Sequence, residues 1–213
     1  MSTIDQLILQ FELQVSDTTE LSTAEEFIVA NRVQNKICNY RPWEFLKKEA
    51  SGSILSDADG YYVTLPEDFA YFTENNQYTD NSMRVGNNAS PKVIFVGPNY
   101  TPYQIINFSD RRQYRNKSGF AYLDMANSKI RFTYTPNDMT YEFDYIKIPP
   151  VLVTGATLPF PARFEEILVY GMAVDDQIIQ LSPKATSYAE ENKSKYQSML
   201  DDMSYWNSQL CLN

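Results

Sequence analysis

The chain has 213 residues, of which 43% are hydrophobic and 21% charged, a composition typical of a globular protein with a hydrophobic core. Its net charge of −9 disfavours nucleic-acid binding as the main task, because a protein that grips phosphates needs a basic surface. The sequence contains no histidine, which excludes Ser-His-Asp and Cys-His catalysis and the zinc sites that use histidine.

The N-terminal part of the chain carries two helical patterns. Apolar residues at helical spacing predict a helix over residues 3–15, although part of this segment also alternates as in a strand. A second helix is predicted over residues 23–39, where Ser22 and Glu25 form the sequence pattern of a capping box.

The middle of the chain changes to strand and turn signals after Gly52. Runs rich in aromatic and β-branched residues, separated by Gly, Pro, Asn or Asp, predict an antiparallel meander or a small sandwich. A polar stretch over residues 73–91 predicts a long loop. The strands are predicted at residues 61–65, 92–96, 103–108, 120–123, 129–134 and 141–148.

Helical periodicity returns behind Pro149-Pro150. One helix is predicted over residues 161–181, and Pro183 begins another. The face of this last helix is polar and aromatic, so it is either partly solvated or packed on something outside the chain. We therefore predict an α+β fold, in which residues 1–50 and 151–213 form a helical body and residues 51–150 an inserted β-rich domain.

Acidic motifs give weak signals for chemistry. Asp57, Asp59 and Gly60 resemble a fragment of a calcium loop, but the remaining ligands are absent, so a plain turn is predicted. Adjacent acids at 175–176 and 201–202 point in different directions on predicted helices, which favours solvated helix faces over a catalytic dyad. We predict no catalytic residue, no metal and no cofactor.

The main basic cluster is the segment 111–117, with Arg111, Arg112, Arg115 and Lys117 around Tyr114. It is either a solvated turn between two strands or a contact for phosphates or an acidic partner. A protein contact suits the acidic chain better than a DNA site. The 16 tyrosines and 12 phenylalanines likewise suit both a β-rich core and an interface.

Two groups of motifs resemble a known family. One group is Pro42-Trp43-x-Phe45-Leu46 followed by Tyr61-Tyr62-x-x-Leu65-Pro66-Glu67-Asp68-Phe69. The other is Tyr145-x-x-x-Pro149-Pro150, then Pro159-Phe160-Pro161-x-x-Phe164-Glu165-Glu166-Ile167-Leu168, Gly171 and Tyr196. Their order, with helices at both ends, resembles the head-to-tail adaptor (connector or tail-tubular) proteins of short-tailed bacteriophages.

The resemblance implies a structural virion protein at the head–tail junction, assembled in the host cytoplasm and without enzymatic activity. It implies a ring, a dodecamer, that joins the portal protein to a tail nozzle or fibre protein. Such a ring extends the DNA channel through which the genome passes without sequence-specific contact. The acidic balance agrees with this function, because a negative channel wall repels phosphates. We also expect no membrane partner.

Two surfaces follow from the resemblance as expectations. The C-terminal segment carries the apolar anchors Tyr205, Trp206, Leu210 and Leu212, which either dock on the portal or fold back onto their own core. The tail side is expected to be met by residues of the β-rich part, namely Tyr100, Tyr103, Arg111, Arg112, Tyr114 and Arg115.

Two other functions remain open at this point. Another phage tail or neck protein, such as a fibre adaptor or a minor tail subunit, would share the composition and lack the portal partner. A hydrolase or nucleic-acid enzyme would need a metal held by carboxylates alone. The sequence offers no convergent trio of acids for such a metal.

Overall fold

The computed structural model describes residues 2–15, 21–73, 92–181, 185 and 187–210. The described residues form two compact units. The helical unit contains the residues up to Leu46 and those from Pro149 onward, and the sheet unit contains those from Lys47 to Ile148. The predicted α+β class, with helices at both ends and a β-rich middle, is confirmed.

The helical unit is built from elements of both chain ends. The predicted helix over 3–15 and the one over 23–39 are both present, and the predicted helix over 161–181 is divided near Asp175. The helices are α1 (Ile4–Val15), α2 (Thr23–Cys38), α3 (Glu166–Ala173), α4 (Asp176–Leu181) and α5 (Ala189–Leu210).

Local interactions explain where two of these helices begin. The Ser22 backbone N–H donates to the Glu25 carboxylate over 2.8 Å at the start of α2, as the capping-box pattern predicts. The carboxylate of Asp175 accepts a bond of 3.2 Å from the Gln177 backbone N–H. Asp175 therefore satisfies one of the unpaired amides at the start of α4, and the helical periodicity across this point belongs to two helices.

The sheet unit is one continuous sheet. Its strands are β1 (Lys47–Ser53), β2 (Leu55–Asp57), β3 (Gly60–Thr64), β4 (Phe69–Phe72), β5 (Val93–Val96), β6 (Thr101–Ile106), β7 (Phe120–Asp124), β8 (Lys129–Phe132) and β9 (Thr140–Lys147). The order across the sheet is β1-β9-β5-β6-β7-β8-β3-β2, and β4 also pairs with β9. The predicted loop over 73–91 falls almost wholly outside the described residues.

One strand pair departs from the antiparallel prediction. β6 and β7 run parallel, with Ile105 opposite Ala121. Parallel neighbours need a crossover, because a tight hairpin joins antiparallel strands. The basic segment 111–117 lies in this crossover, so it is longer and more structured than the predicted turn.

Aromatic residues fill much of the sheet core, in agreement with the interpretation that the many tyrosines and phenylalanines build a β-rich core. Phe72 and Phe143 approach to 5.3 Å between ring centroids, and Phe69 lies 5.8 Å from Tyr145. The Tyr145 hydroxyl also donates to Asp68 over 2.7 Å. Phe69 and Tyr145, which belong to motifs far apart in the sequence, thus meet in the core of the sheet unit.

Candidate interaction surfaces

The last helix is fastened to the segment that follows α2. Asn207 is buried, and its side-chain oxygen accepts a 2.7 Å bond from the Glu44 backbone N–H while its amide donates to the Pro42 carbonyl over 3.3 Å. The Arg41 guanidinium donates to the Ser204 carbonyl over 2.9 Å. These bonds fix the C-terminal half of α5 in register on its own unit.

The four predicted portal-docking residues divide into three groups. Tyr205 and Leu210 face solvent, with 70% and 44% of their surface exposed. Trp206 is half-buried, with its ring 5.7 Å from Phe164 and beneath the guanidinium of Arg163. The alternative in which the segment folds back onto its own core therefore describes Trp206. Leu212 lies outside the described residues.

The six predicted tail-side residues are not one surface. Arg111, Arg112 and Arg115 line one groove, and Tyr114 is half-buried against Phe120 outside the groove lining. Tyr100 projects from the β5–β6 turn, beside a separate cavity. Tyr103 is a core residue, 1% exposed, whose hydroxyl accepts a 3.1 Å bond from the Asn137 backbone N–H. Its aromatic ring was predicted on the surface, but strand alternation directs it into the sheet core.

The groove around these arginines, here called the arginine groove, has a volume of about 480 Å³. Its walls come from the β2–β3 turn, the β6–β7 crossover, β7 and the residues behind β8. The sequence prediction missed most of its aromatic and polar lining, because all of these residues except Asn116 lie outside the basic cluster in the chain. Besides the arginines, the lining includes Asp59, Tyr61, Asn116, Tyr122, Thr133 and Tyr134.

Several contacts hold the arginine-bearing crossover against the sheet. The Arg111 guanidinium donates to the Phe108 carbonyl over 2.6 Å and lies 3.7 Å from the centre of the Phe108 ring. The Tyr114 and Phe120 rings are 4.5 Å apart. The Asn116 backbone N–H donates to the Thr133 carbonyl over 3.0 Å, so the crossover is tied to the strand end that it covers.

A network of charges centred on Arg131 lies next to the groove. The Arg131 guanidinium, which is largely buried, contacts Asp57 at 3.0 Å, Asp124 at 3.0 Å and Asp59 at 3.6 Å. Hydrogen bonds from Arg131 and Lys129 hold the pKa of Asp57 well below its usual range. The predicted plain turn at Asp57-x-Asp59-Gly60 is confirmed, with the Asp59 N–H bonded to Asp57 over 2.9 Å. Its acids also anchor this network.

The paired acids of the helical unit differ in their surroundings. Asp201 and Asp202 are exposed on α5, as predicted. Asp176 is also exposed, as predicted. Asp175 is buried and paired with Arg32 and Lys36, which corrects the prediction of a solvated position for this residue. Burial alone would raise the pKa of Asp175, but the hydrogen bonds that it accepts outweigh burial and lower it.

Within the described ranges, no three or more acidic or cysteine side chains are grouped so that they could hold a metal ion. No helix among the described residues is long and apolar enough to cross a membrane. Cys38 is buried in α2, and Cys211 lies outside the described part of the chain.

The described residues form a helical unit drawn from both chain ends and an inserted sheet unit, and both units expose aromatic side chains. The chain belongs to the SU10 adaptor protein family, whose sequence model matches residues 2–210. It is therefore a structural adaptor protein of a bacteriophage, a virion component that contacts other phage structural proteins. The resemblance to phage adaptors is confirmed at this level. No curated protein matches the chain.

Proposed function

We propose that the protein forms a ring, a dodecamer, that joins the portal of a short-tailed phage to its tail and extends the DNA channel. The role is structural and non-enzymatic. The observation that carries the proposal is the family match over residues 2–210, which includes both units. An adaptor needs one surface for each neighbour, and the two units offer chemically different surfaces.

Contacts between copies in the ring are assigned to the helical unit. Its helices expose apolar side chains that make little contact with their own unit, with Leu13 of α1 exposed to 69%. Leu13 also lines a shallow cavity of about 300 Å³ beside Val169 and Tyr170 of α3. An apolar side chain from a neighbouring copy would bury this surface, which stabilises a complex by about 25 cal/mol per Å². Other exposed apolar residues of this unit are Leu9, Ile28, Val151 and Val153.

The portal contact is assigned to the end of α5. Tyr205 and Leu210 are the exposed anchors, because Trp206 is engaged with Phe164 and Arg163. Aromatic side chains dominate binding energy when they enter a pocket of the partner. The hydrogen bonds of Asn207 fix the helix beneath them, so these anchors are presented in a defined orientation.

The tail contact is assigned to the sheet unit, through Tyr100 and the arginine groove.

The net charge of −9 supports the channel function. DNA phosphates are repelled by a negative wall, so the genome slides past an acidic ring without adhering to it.

Capture by purified neighbours tests the portal assignment. The double variant Tyr205→Ser/Leu210→Ser is expected to bind immobilised portal protein roughly tenfold or more weakly than the wild type. Tyr188→Ser is the matched control, since it removes an aromatic side chain that is 48% exposed in the helical unit, outside the surfaces assigned to the ring and the portal. Portal binding unchanged in the double variant contradicts the assignment. Wild-type protein that captures tail proteins but never the portal favours a fibre adaptor or a minor tail subunit.

A further inference from the structure

We propose that the arginine groove binds an acidic segment of a partner protein. This inference deepens the tail-side part of the proposed function and rests on it for the kind of partner, a virion protein. Binding of an acidic segment by the groove can nevertheless be measured with a peptide, in the absence of a ring or a portal.

The first argument is unbalanced charge. Within the part of the chain that the structure describes, Arg111, Arg112 and Arg115 form no ion pair. Four other cations of the sheet unit each face a carboxylate, namely Lys47, Lys48, Lys129 and Arg131. Lys92, Lys117 and Lys147 form no ion pair among the described residues either, but none of them lines the groove. The groove therefore concentrates unpaired positive charge on a chain whose net charge is −9.

The second argument is the remaining carboxylate in the groove wall. Asp59 is the acidic residue of the lining, and its carboxylate is 3.6 Å from the Arg131 guanidinium. Arg131 belongs to the neighbouring network with Asp57 and Asp124. Asp59 is thus directed toward a cation outside the groove lining, and the three groove arginines are left to bind an external anion.

The third argument is that the groove is held in shape before any ligand arrives. The Arg111 guanidinium is stacked on Phe108, and the Phe108 ring contacts Tyr122 of β7 at 5.7 Å between centroids. The Thr133 hydroxyl donates to the Lys117 carbonyl over 2.6 Å and fixes the end of the crossover. A site with fixed walls loses little conformational entropy on binding.

The lining defines the ligand. Guanidinium groups bind carboxylates through paired N–H donors, and the tyrosine rings of Tyr61, Tyr122 and Tyr134 offer apolar faces with hydroxyl tips. A volume of about 480 Å³ holds a few side chains. The best fit is a short segment in which Asp or Glu residues flank an aromatic or aliphatic side chain.

Nucleic acid fits the same groove less well. Duplex DNA carries about one charge per 1.7 Å of its axis and extends far beyond a groove of this size. It therefore meets the repulsion of the whole acidic surface, whereas a short acidic segment meets mainly the arginines. DNA binding is accordingly the competing outcome of the test.

The test is fluorescence anisotropy with the full-length protein and a labelled peptide of alternating Glu and Asp residues around a central Trp. The groove variant is Arg112→Gln/Arg115→Gln, which changes two exposed side chains that form no ion pair among the described residues. The control is Lys92→Gln/Lys193→Gln, which removes the same charge from exposed positions outside the groove lining.

We expect the wild type and the control variant to bind the peptide, with affinity that falls as salt is added, and the groove variant to bind roughly tenfold or more weakly. Equal binding by the groove and control variants would overturn the proposal, as would no binding by the wild type. A labelled DNA duplex that binds the groove more tightly than the peptide would overturn it in favour of a nucleic-acid contact. None of these results depends on the portal, so they are separate from failure of the ring proposal.

Discussion

Gly171 of α3 lies so close to Val33 of α2 that a Cβ atom at position 171 would stand 2.5 Å from the Val33 Cγ1 atom. The Tyr196 ring of α5 approaches the same position to 2.9 Å. Three helices from both ends of the chain therefore meet where one residue has no side chain. This close approach gives a physical reason for a glycine within the second group of motifs.

Gly171→Ala should destabilise the helical unit by about 1–3 kcal/mol, because the added methyl group overfills a packed crossing. Both tryptophans of the chain lie in this unit, so urea unfolding followed by tryptophan fluorescence measures the effect. Adding Val33→Ala removes the nearest clashing atom and should recover part of the loss. An alanine variant as stable as the wild type would show that the helices separate easily, contrary to the packing described.

Asn207→Ala should cost about 1–3 kcal/mol, because it removes the partly buried hydrogen bonds that the Asn207 side chain makes with the Glu44 N–H and the Pro42 carbonyl. Tryptophan fluorescence again reports the unfolding of the unit that contains the site. Ser194→Ala on the exposed face of α5 is the matched control and should change stability by less than about 0.5 kcal/mol. Equal stability of both variants would mean that α5 is held by its apolar contacts alone.

Stability should depend on pH through Glu26 of α2. Burial and then the neighbouring carboxylate of Glu12 raise the pKa of Glu26 to about 7. The folded chain thus holds a proton that the unfolded chain releases above its ordinary pKa of about 4.5, so stability falls as the pH rises from about 5 to 8.

Glu26→Gln should flatten this dependence, measured as urea midpoints at pH 5 and pH 8. Glu25→Gln is the adjacent control. Hydrogen bonds from Ser22 lower the pKa of Glu25, so its titration lies below this range. A wild-type midpoint that rises toward pH 8 would contradict the assignment.

Arg131→Met should destabilise the sheet unit by about 2–3 kcal/mol, since it removes the shared partner of Asp57 and Asp124. Differential scanning calorimetry measures the change, and Lys117→Met, at an exposed cation without an ion pair among the described residues, is the control. The lowered pKa of Asp57 adds a signature in acid. The stability that ionised Asp57 contributes at neutral pH is lost as the pH falls below about 4. The free energy of unfolding of Asp57→Asn should therefore fall less than that of the wild type over this acidic range.

The helices and most strands of the fold were predictable, because the spacing of their apolar residues indicates which face is buried. The strands β1, β2 and β4 were not predicted, and β1 was missed for a physical reason. Its sequence, Lys47–Ser53, is exposed at nearly every position and pairs with β9 at an edge of the sheet, so it carries no apolar alternation. The strand exists through backbone hydrogen bonds to a partner almost a hundred residues away.

The candidate surfaces were predictable in part. The basic cluster was visible in the sequence, but the groove was not, since its other walls come from the β2–β3 turn and from the residues behind β8. Tyr103 and Trp206 were predicted as contact residues from their type and from the family resemblance, with folding back onto the core as the alternative for Trp206. Residue type cannot distinguish a ring packed on its own unit from one that is free to bind. The positions of Tyr103 and Trp206 depend on packing against residues that are distant in the sequence.

The mass of assemblies formed with the portal tests the central claim most directly. Light scattering and negative-stain microscopy would be applied to the purified protein alone and after mixing with the portal protein. The account predicts a defined multi-copy complex with the portal, whether or not the protein alone is a monomer. A protein that stays monomeric and ignores the portal at high concentration would contradict the head-to-tail ring and leave another structural role in the virion.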